Sequence, residues 1–171
     1  MFPIQKENFE IRPWKLEDAE SLSEQANNVN IWNNVRDGFP HPYTKKNGKA
    51  FIKECLKRSF PLDYAIVVDG KAVGGVGFIL QSDVERYNAE LGYWIGEAYW
   101  NKGIITEAVR AAIRIVFQET DIARIYACAY AYNTASMRVM EKNGFRKVGV
   151  MEKAAFKNGA FVDFHYYELL R

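Results

Sequence analysis

From Ile105 onward the chain repeats apolar residues at helical spacing: Ala108, Val109, Ala112, Ile113, Val116 and Phe117, with Glu107, Arg110, Arg114 and Gln118 filling the other face. The spacing predicts an amphipathic helix, and its start lies in the polar turn Tyr99-Trp100-Asn101-Lys102-Gly103. Strand-like segments flank it, Asn88 to Ile95 before the turn and Arg124 to Tyr130 after the helix. A second, shorter helix is predicted over Asn133 to Asn143, closed by Gly144, a residue suited to a left-handed C-cap.

Upstream, Phe9-Glu10-Ile11-Arg12-Pro13-Trp14 alternates like a first strand, and Lys15 to Asn27 carries helical spacing with Glu17 or Asp18 near its start. The stretch from Asn33 to Tyr43 has no steady period and is rich in turn formers and aromatics, so it reads as an irregular loop. Thr44 is a fair N-cap for a helix whose predicted apolar stripe is Ala50, Phe51, Cys55 and Leu56, ending before Pro61. Asp63 to Val68 and Ala72 to Leu80 then flank Asp69-Gly70, and a second turn pair, Asn158-Gly159, separates Val148–Met151 from Phe161–Tyr166. Both pairs favour positive backbone torsions and predict hairpins.

Composition narrows the class. With 171 residues, 49% of them hydrophobic, the chain suits one domain over residues 1–171 with a proper core. A formal net charge of +2 without a polybasic run or acidic tail gives no reason to expect nucleic acid. The segment Met1 to Glu7 lacks a basic region followed by an apolar core, and no stretch is long and apolar enough to span a bilayer. Neither export nor a membrane is therefore expected. Cys55 and Cys128 each sit inside an apolar segment and read as buried free thiols, which suits a reducing cytoplasm. No His, Cys or carboxylate set has metal-ligand spacing, so no metal is expected.

The chemistry suggested by the pattern is anion binding. A helix start leaves its first amides without intrahelical partners and places partial positive charge there, so a pyrophosphate can bind with few basic side chains, and Gly103 lets the backbone come close. Gly74-Gly75-Val76-Gly77 is a weaker candidate for phosphate binding: Phe78-Ile79-Leu80 continues a strand and no helix opens there, so these glycines mark a bulge or a close backbone approach.

Three linked motifs, Glu90-Leu91-Gly92-Tyr93-Trp94, Tyr99-Trp100-Asn101-Lys102-Gly103, and Asn133-Thr134-Ala135-Ser136 followed by Glu141-Lys142-Asn143-Gly144-Phe145, resemble the GNAT superfamily of acyl-CoA-dependent N-acetyltransferases, in particular its branch similar to the ribosomal-protein N-terminal acetyltransferases. The matching core runs from Glu90 to Phe145. The resemblance implies an α/β fold with a central mixed, mostly antiparallel sheet, splayed at the cofactor and with helices on both faces. It implies acetyl-CoA as donor, with backbone groups of Trp94 and Ile95 on the pantetheine arm and amides from Lys102, Gly103, Ile104, Ile105 and Thr106 on the pyrophosphate. The Lys102 ammonium is either an extra charge for the phosphates or a solvated surface lysine. Many relatives carry glycine at the place of Asn101 and a small residue at that of Ile105, so the phosphates approach differently here.

The same resemblance assigns catalytic work. Glu90 is the candidate base, or else a surface glutamate paired with a basic side chain. Asn133 is a helix cap or a further bond to the cofactor arm, and Ser136 is a candidate proton donor to the leaving thiolate, because the tyrosine that serves many relatives is replaced here by Met140, which cannot donate. Lys142, and less directly Arg138, would reach the phosphorylated ribose or simply face solvent. In the irregular loop, Asp37, Phe39, His41 and Tyr43 are the candidates for recognising the acceptor, against the alternative of a rigid aromatic connection. The expected acceptor is a primary amine, foremost a protein or peptide N-terminal α-amine. A polyamine, an aminoglycoside, or a role as a non-catalytic acyl-CoA sensor are the alternatives, and the chain is expected as a monomer or homodimer.

Overall fold

The computed structural model describes residues 3–171. Met1 and Phe2, where the reading for export signals begins, lie outside the described residues. The elements follow the order β1 (Ile4–Gln5), β2 (Glu10–Pro13), α1 (Ala19–Ala26), α2 (Val29–Trp32), α3 (Lys45–Cys55), β3 (Asp63–Val68), β4 (Lys71–Leu80), β5 (Asn88–Ile95), α4 (Ile104–Glu119), β6 (Arg124–Tyr130), α5 (Thr134–Lys142), β7 (Arg146–Lys157) and β8 (Ala160–Leu170). Along the hydrogen-bonded strands the order is β1-β2-β3-β4-β5-β6-β8-β7, with β5 and β6 parallel. This is the mixed, mostly antiparallel α/β sheet that the sequence implies. Contacts group the chain into two compact units, one reaching Gly77 and including Tyr93–Ile113, the other combining Phe78–Gly92 with Arg114–Arg171. Elements β4, β5 and α4 each run from one unit into the other.

In the first unit, Trp14, Leu22, Ala26, Tyr43, Ile52, Ala65 and Val67 form a core, with Phe39, Cys55 and Trp94 packed against it. Helix α3 is capped as its sequence predicts: the Thr44 hydroxyl accepts from the Asn47 amide at 3.3 Å. Its buried face is not the predicted one. Gly48 and Ile52 are buried while Ala50, Phe51 and Leu56 are exposed, a rotation of about one residue. The cause lies in Gly48, where an added Cβ would stand 3.0 Å from the Ala19 carbonyl oxygen and 3.3 Å from Leu22 Cδ2. Helices α1 and α3 meet at a residue with no side chain, which a count of apolar positions passes over. The hairpin at Asp69-Gly70 is present, with φ of 49° and 75°. Cys55 is free and half-buried rather than buried, and burial pushes its thiol up to about 12, so it stays protonated at neutral pH.

A buried ion pair fixes the passage from β2 into α1. Arg12 donates to both Asp18 carboxylate oxygens, at 2.7 and 2.8 Å, and the Lys15 amide donates to Asp18 Oδ2 at 2.9 Å. Both side chains are about nine-tenths buried, at 10% and 7% exposure. Removing one member strands the other charge away from water.

In the second unit, β6 pairs with β8 from Arg124↔Leu170 to Tyr130↔Phe164, so Tyr126, Cys128 and Tyr130 share a face with Phe164, Tyr166 and Glu168. Cys128 on this face is in no disulfide and is half-buried. The second hairpin is longer than predicted and turns at Asn158-Gly159, with φ of 52° and 79°. Its register shifts between Met151 and Ala155, where Lys153 adopts φ 51° and its amide donates to Asp163 Oδ1 at 2.7 Å. Glu168 accepts from Arg124 at 2.7 Å and from Arg146 at 2.6 Å, and these bonds hold its carboxyl below the ordinary value of 4.5.

Two outcomes follow from these ion pairs. Asp18→Ala is expected to lower stability by about 3–5 kcal/mol, read from the urea midpoint at neutral pH, and Asp18→Asn, which keeps one acceptor oxygen, by less. Glu168 ionises at lower pH in the folded chain than in the unfolded one, so its contribution is complete above 4.5 and disappears as pH falls through the lower folded value. The melting temperatures of wild type and Glu168→Gln therefore differ at neutral pH and converge in acid.

Candidate active site

The candidate donor end lies in the first unit, and it begins where two backbones touch. The Gly96 amide donates to the Val73 carbonyl at 2.7 Å. An added Cβ at Gly74 would stand 2.5 Å from the Trp94 carbonyl oxygen and 2.9 Å from Ile95 Cα, and one at Gly75 would stand 2.9 Å from Trp14 Cζ2. Gly74 therefore lets the end of β5 lie against β4 and Gly75 makes room for the Trp14 ring, the close approach expected of them, and they are not a phosphate loop.

Beyond Ile95 the chain tightens. The Tyr99 amide donates to the Gly96 carbonyl at 2.9 Å and the Trp100 amide to that of Glu97 at 3.1 Å, shaping one 3-10 turn over Glu97–Tyr99. The Trp100 indole N–H then reaches back to the Ile95 carbonyl at 2.9 Å. Asn101 and Gly103 follow in left-handed conformation, at φ 58° and 77°. Asparagine is among the few residues with a side chain that enters this region readily, which explains how position 101 keeps its turn without being glycine.

Helix α4 begins at Ile104, and the amide of Glu107 donates to the Gly103 carbonyl at 3.2 Å. The amides of Ile104, Ile105 and Thr106 belong to the first turn of the helix, ahead of that bond. Ile104 is buried, Ile105 and Thr106 are half-buried, and Lys102 and Gly103 are exposed. The Lys102 ammonium lies 5.5 Å from the centre of the Tyr99 ring, on the same turn. Backbone amides at a helix start, with a lysine in the turn that leads into them, suit a pyrophosphate.

The aromatic loop of the same unit divides into two parts. Tyr43 is buried in the core, its amide donates to Asn27 Oδ1 at 3.0 Å, and burial pushes its phenol up to about 12. Phe39 packs 4.9 Å from the Tyr43 ring and 5.6 Å from that of Trp94, edge-on to the latter. For these two residues the rigid aromatic connection is the arrangement present. His41 is exposed and stacks on Trp32 at 5.5 Å, and Asp37 is exposed.

The second unit carries the other candidates. The β5–β6 pairing runs from Asn88↔Arg124 to Glu90↔Tyr126, so half-buried Glu90 stands at its last position, although β5 continues to Ile95 and β6 to Tyr130. Asn133 caps α5, with Oδ1 accepting from the Ser136 amide at 3.1 Å. Its cap role is thus present, and its side-chain NH2 lies outside that bond. Ser136 is half-buried on the first turn, Lys142 and Arg138 are exposed, and Met140 is fully buried among apolar neighbours. Gly144 ends the helix at φ 83°, as predicted. Among the described residues no group of His, Cys, Asp or Glu is arranged to hold a metal, and no helix is long and apolar enough to cross a membrane.

Sequence reasoning missed the Trp100 indole bond, although Trp100 is part of the motif over residues 99–103, and passed over Glu97 just ahead of it, whose carboxylate accepts from Asn28 and Asn30. An aromatic N–H just after a strand end was the available signal for the first.

A family profile described as "Acetyltransferase (GNAT) domain" matches residues 8–146. YdaF of Bacillus subtilis (strain 168), provisionally named a ribosomal N-acetyltransferase, is 34% identical over 110 residues, which cover 64% of this chain and 60% of that protein. The ribosomal-protein-serine acetyltransferase of Escherichia coli (strain K12) is 29% identical over 113 residues, 65% of this chain and 62% of that protein. The crystal structure of RimL, the ribosomal L7/L12 α-N-protein acetyltransferase in complex with coenzyme A, has the same fold at TM-score 0.86 and 20% identity, covering 96% of this chain and 95% of that one.

The contact at Gly74 can be tested directly. Gly74→Ala forces a methyl group against the Trp94–Ile95 backbone at a cost of about 1–3 kcal/mol, and weaker CoA binding by calorimetry is the expected outcome.

Proposed function

Because the chain belongs to the GNAT family, and is thereby an acetyl-CoA-dependent N-acetyltransferase, we propose that its acceptor is a protein or peptide N-terminal α-amine. What supports the acceptor class is the similarity to an enzyme named for acetylating a ribosomal-protein serine, together with the modest chemistry the candidate base has to perform. An α-amine with a pKa of about 7.7–8.0 is roughly one-tenth neutral at pH 7, whereas a lysine side chain near 10.4 is neutral in well under one molecule per thousand. A strand-borne carboxylate such as Glu90 suffices for the former.

In this reading the backbone groups of Trp94 and Ile95 orient the pantetheine arm, and the amides of Lys102 to Thr106 hold the pyrophosphate, with Lys102 adding charge. The observation that carries the donor side is the turn itself: left-handed Asn101 and Gly103 leading into the amides of Ile104, Ile105 and Thr106. The substrate nitrogen attacks the thioester carbonyl, forming a C–N bond as the C–S bond breaks. Its proton passes to Glu90, directly or through water. The Ser136 hydroxyl passes its proton to the departing thiolate as it regains one from water, a role that falls to it because the Met140 thioether is packed in the core and cannot donate. Asn133 uses its side-chain NH2 on the cofactor arm, and Lys142 pairs with the ribose phosphate. Asp37 and His41 flank the acceptor, while Phe39 and Tyr43 support them from the core. Two unpaired cysteines fit a reducing, cytoplasmic setting.

A thiol-release assay against N-terminal peptides, lysine peptides, polyamines and aminoglycosides tests the acceptor class, and selective release with the N-terminal peptides is expected. Selective turnover of a polyamine or an aminoglycoside overturns it. Glu90→Gln is expected to lower kcat about 10²–10⁴-fold with CoA binding intact, and unchanged turnover across several pH values removes Glu90 from the mechanism.

A further inference from the structure

Helix α2 has four residues, Val29–Trp32, too few to hold a helical conformation through their own backbone bonds. Its order comes from side chains. The Asn28 carbonyl oxygen Oδ1 caps it, accepting from the Asn30 amide at 2.7 Å and the Ile31 amide at 3.4 Å. That cap fixes which end of the Asn28 amide is which, and the remaining end, Nδ2, donates to Glu97 Oε2 at 2.7 Å. Asn30 Nδ2 donates to the same carboxylate, at 3.0 and 3.1 Å. These bonds hold the Glu97 carboxyl below its ordinary pKa, so it is an anion throughout the neutral range. Beside it, an added Cβ at Gly96 would collide with Gln25 Oε1, so the last turn of α1 abuts the same short segment.

Glu97 belongs to the 3-10 turn that joins the end of β5 to the anion turn. The far end of α2 carries Trp32, on which His41 of the aromatic loop stacks at 5.5 Å. One carboxylate thus links the donor-binding turn to the element that supports the exposed part of the acceptor loop. We propose that Glu97 is a positioning residue for the acceptor: by fastening α2 to the donor turn it sets where His41 and Asp37 stand relative to the backbone of Trp94 and Ile95. This rests on the reading of residues 37–43 as the acceptor loop. Glu97 itself touches no reacting atom, and its removal acts on acceptor binding while the amides of Ile104–Thr106 remain in place.

The test compares wild type, Glu97→Ala and Glu97→Gln with the N-terminal peptide that wild type turns over best. Glu97→Ala is expected to raise the acceptor KM about fivefold to tenfold, with kcat, the CoA Kd and the melting temperature close to wild type, because exposed amide–carboxylate bonds carry modest energy. Glu97→Gln, which keeps an oxygen acceptor, falls between. In parallel, hydrogen exchange at the Trp32 and Asn33 amides, which donate to Asn28 and Val29 at 2.9 Å, is expected to accelerate in Glu97→Ala. An unchanged acceptor KM, or a CoA Kd that rises as much as that KM, overturns the proposal. Should wild type acetylate no N-terminal peptide, the acceptor reading fails by itself, and hydrogen exchange then decides the tether: unaltered protection of Trp32 and Asn33 overturns it.

Discussion

The bond between the Gly96 amide and the Val73 carbonyl sits where β5 stops being an ordinary strand. It exists only because residue 74 has no Cβ to hold the Trp94 carbonyl away. From that contact the rest of the first unit's donor end is placed in sequence: the 3-10 turn over Glu97–Tyr99, the indole of Trp100 returning to the Ile95 carbonyl, the two left-handed residues and the start of α4. Amides at a helix start act along the direction in which they point, and here that direction is set by backbone contact two elements away.

The acceptor side of the same unit is held differently. Trp94 points its ring at Phe39, Phe39 meets Tyr43, and Tyr43 is part of the core around Trp14 and Ile52, so half of the aromatic loop is as rigid as the core. The other half depends on a tether of amides and one carboxylate at the surface. Under the proposed acceptor reading, rigid packing and a surface tether within one loop would give the amine a fixed floor and an adjustable wall.

Much of this was legible in the sequence because it is local. The period of α4, the positive torsions at Asp69-Gly70 and Asn158-Gly159, the cap at Thr44 and the glycine stop at Gly144 each depend on a few neighbouring residues, and each is present. Apart from the Trp100 indole bond, which spans five residues, the misses are long-range. The buried face of α3 turns on Gly48, whose importance comes from Ala19 and Leu22 on another helix. Helix α2 is held by a residue 69 positions away. The candidate roles of Glu90, Asn133 and Ser136 came from family motifs, because nothing in residue spacing distinguishes a catalytic strand glutamate from a surface one. The placement of Tyr43 in the core shows the same limit from the other side, since an aromatic in a turn-rich loop carries no local sign of burial.

A donor end made from main-chain groups also bears on how such a chain changes over generations. Main-chain amides persist through every substitution that leaves the torsions intact, so selection there acts on conformation, chiefly at Gly74, Asn101 and Gly103, and hardly at all on side-chain identity. The acceptor wall is made of replaceable side chains. Under the proposed division of the site, drift can therefore retarget the enzyme to new amines while its use of the acetyl donor is inherited unaltered.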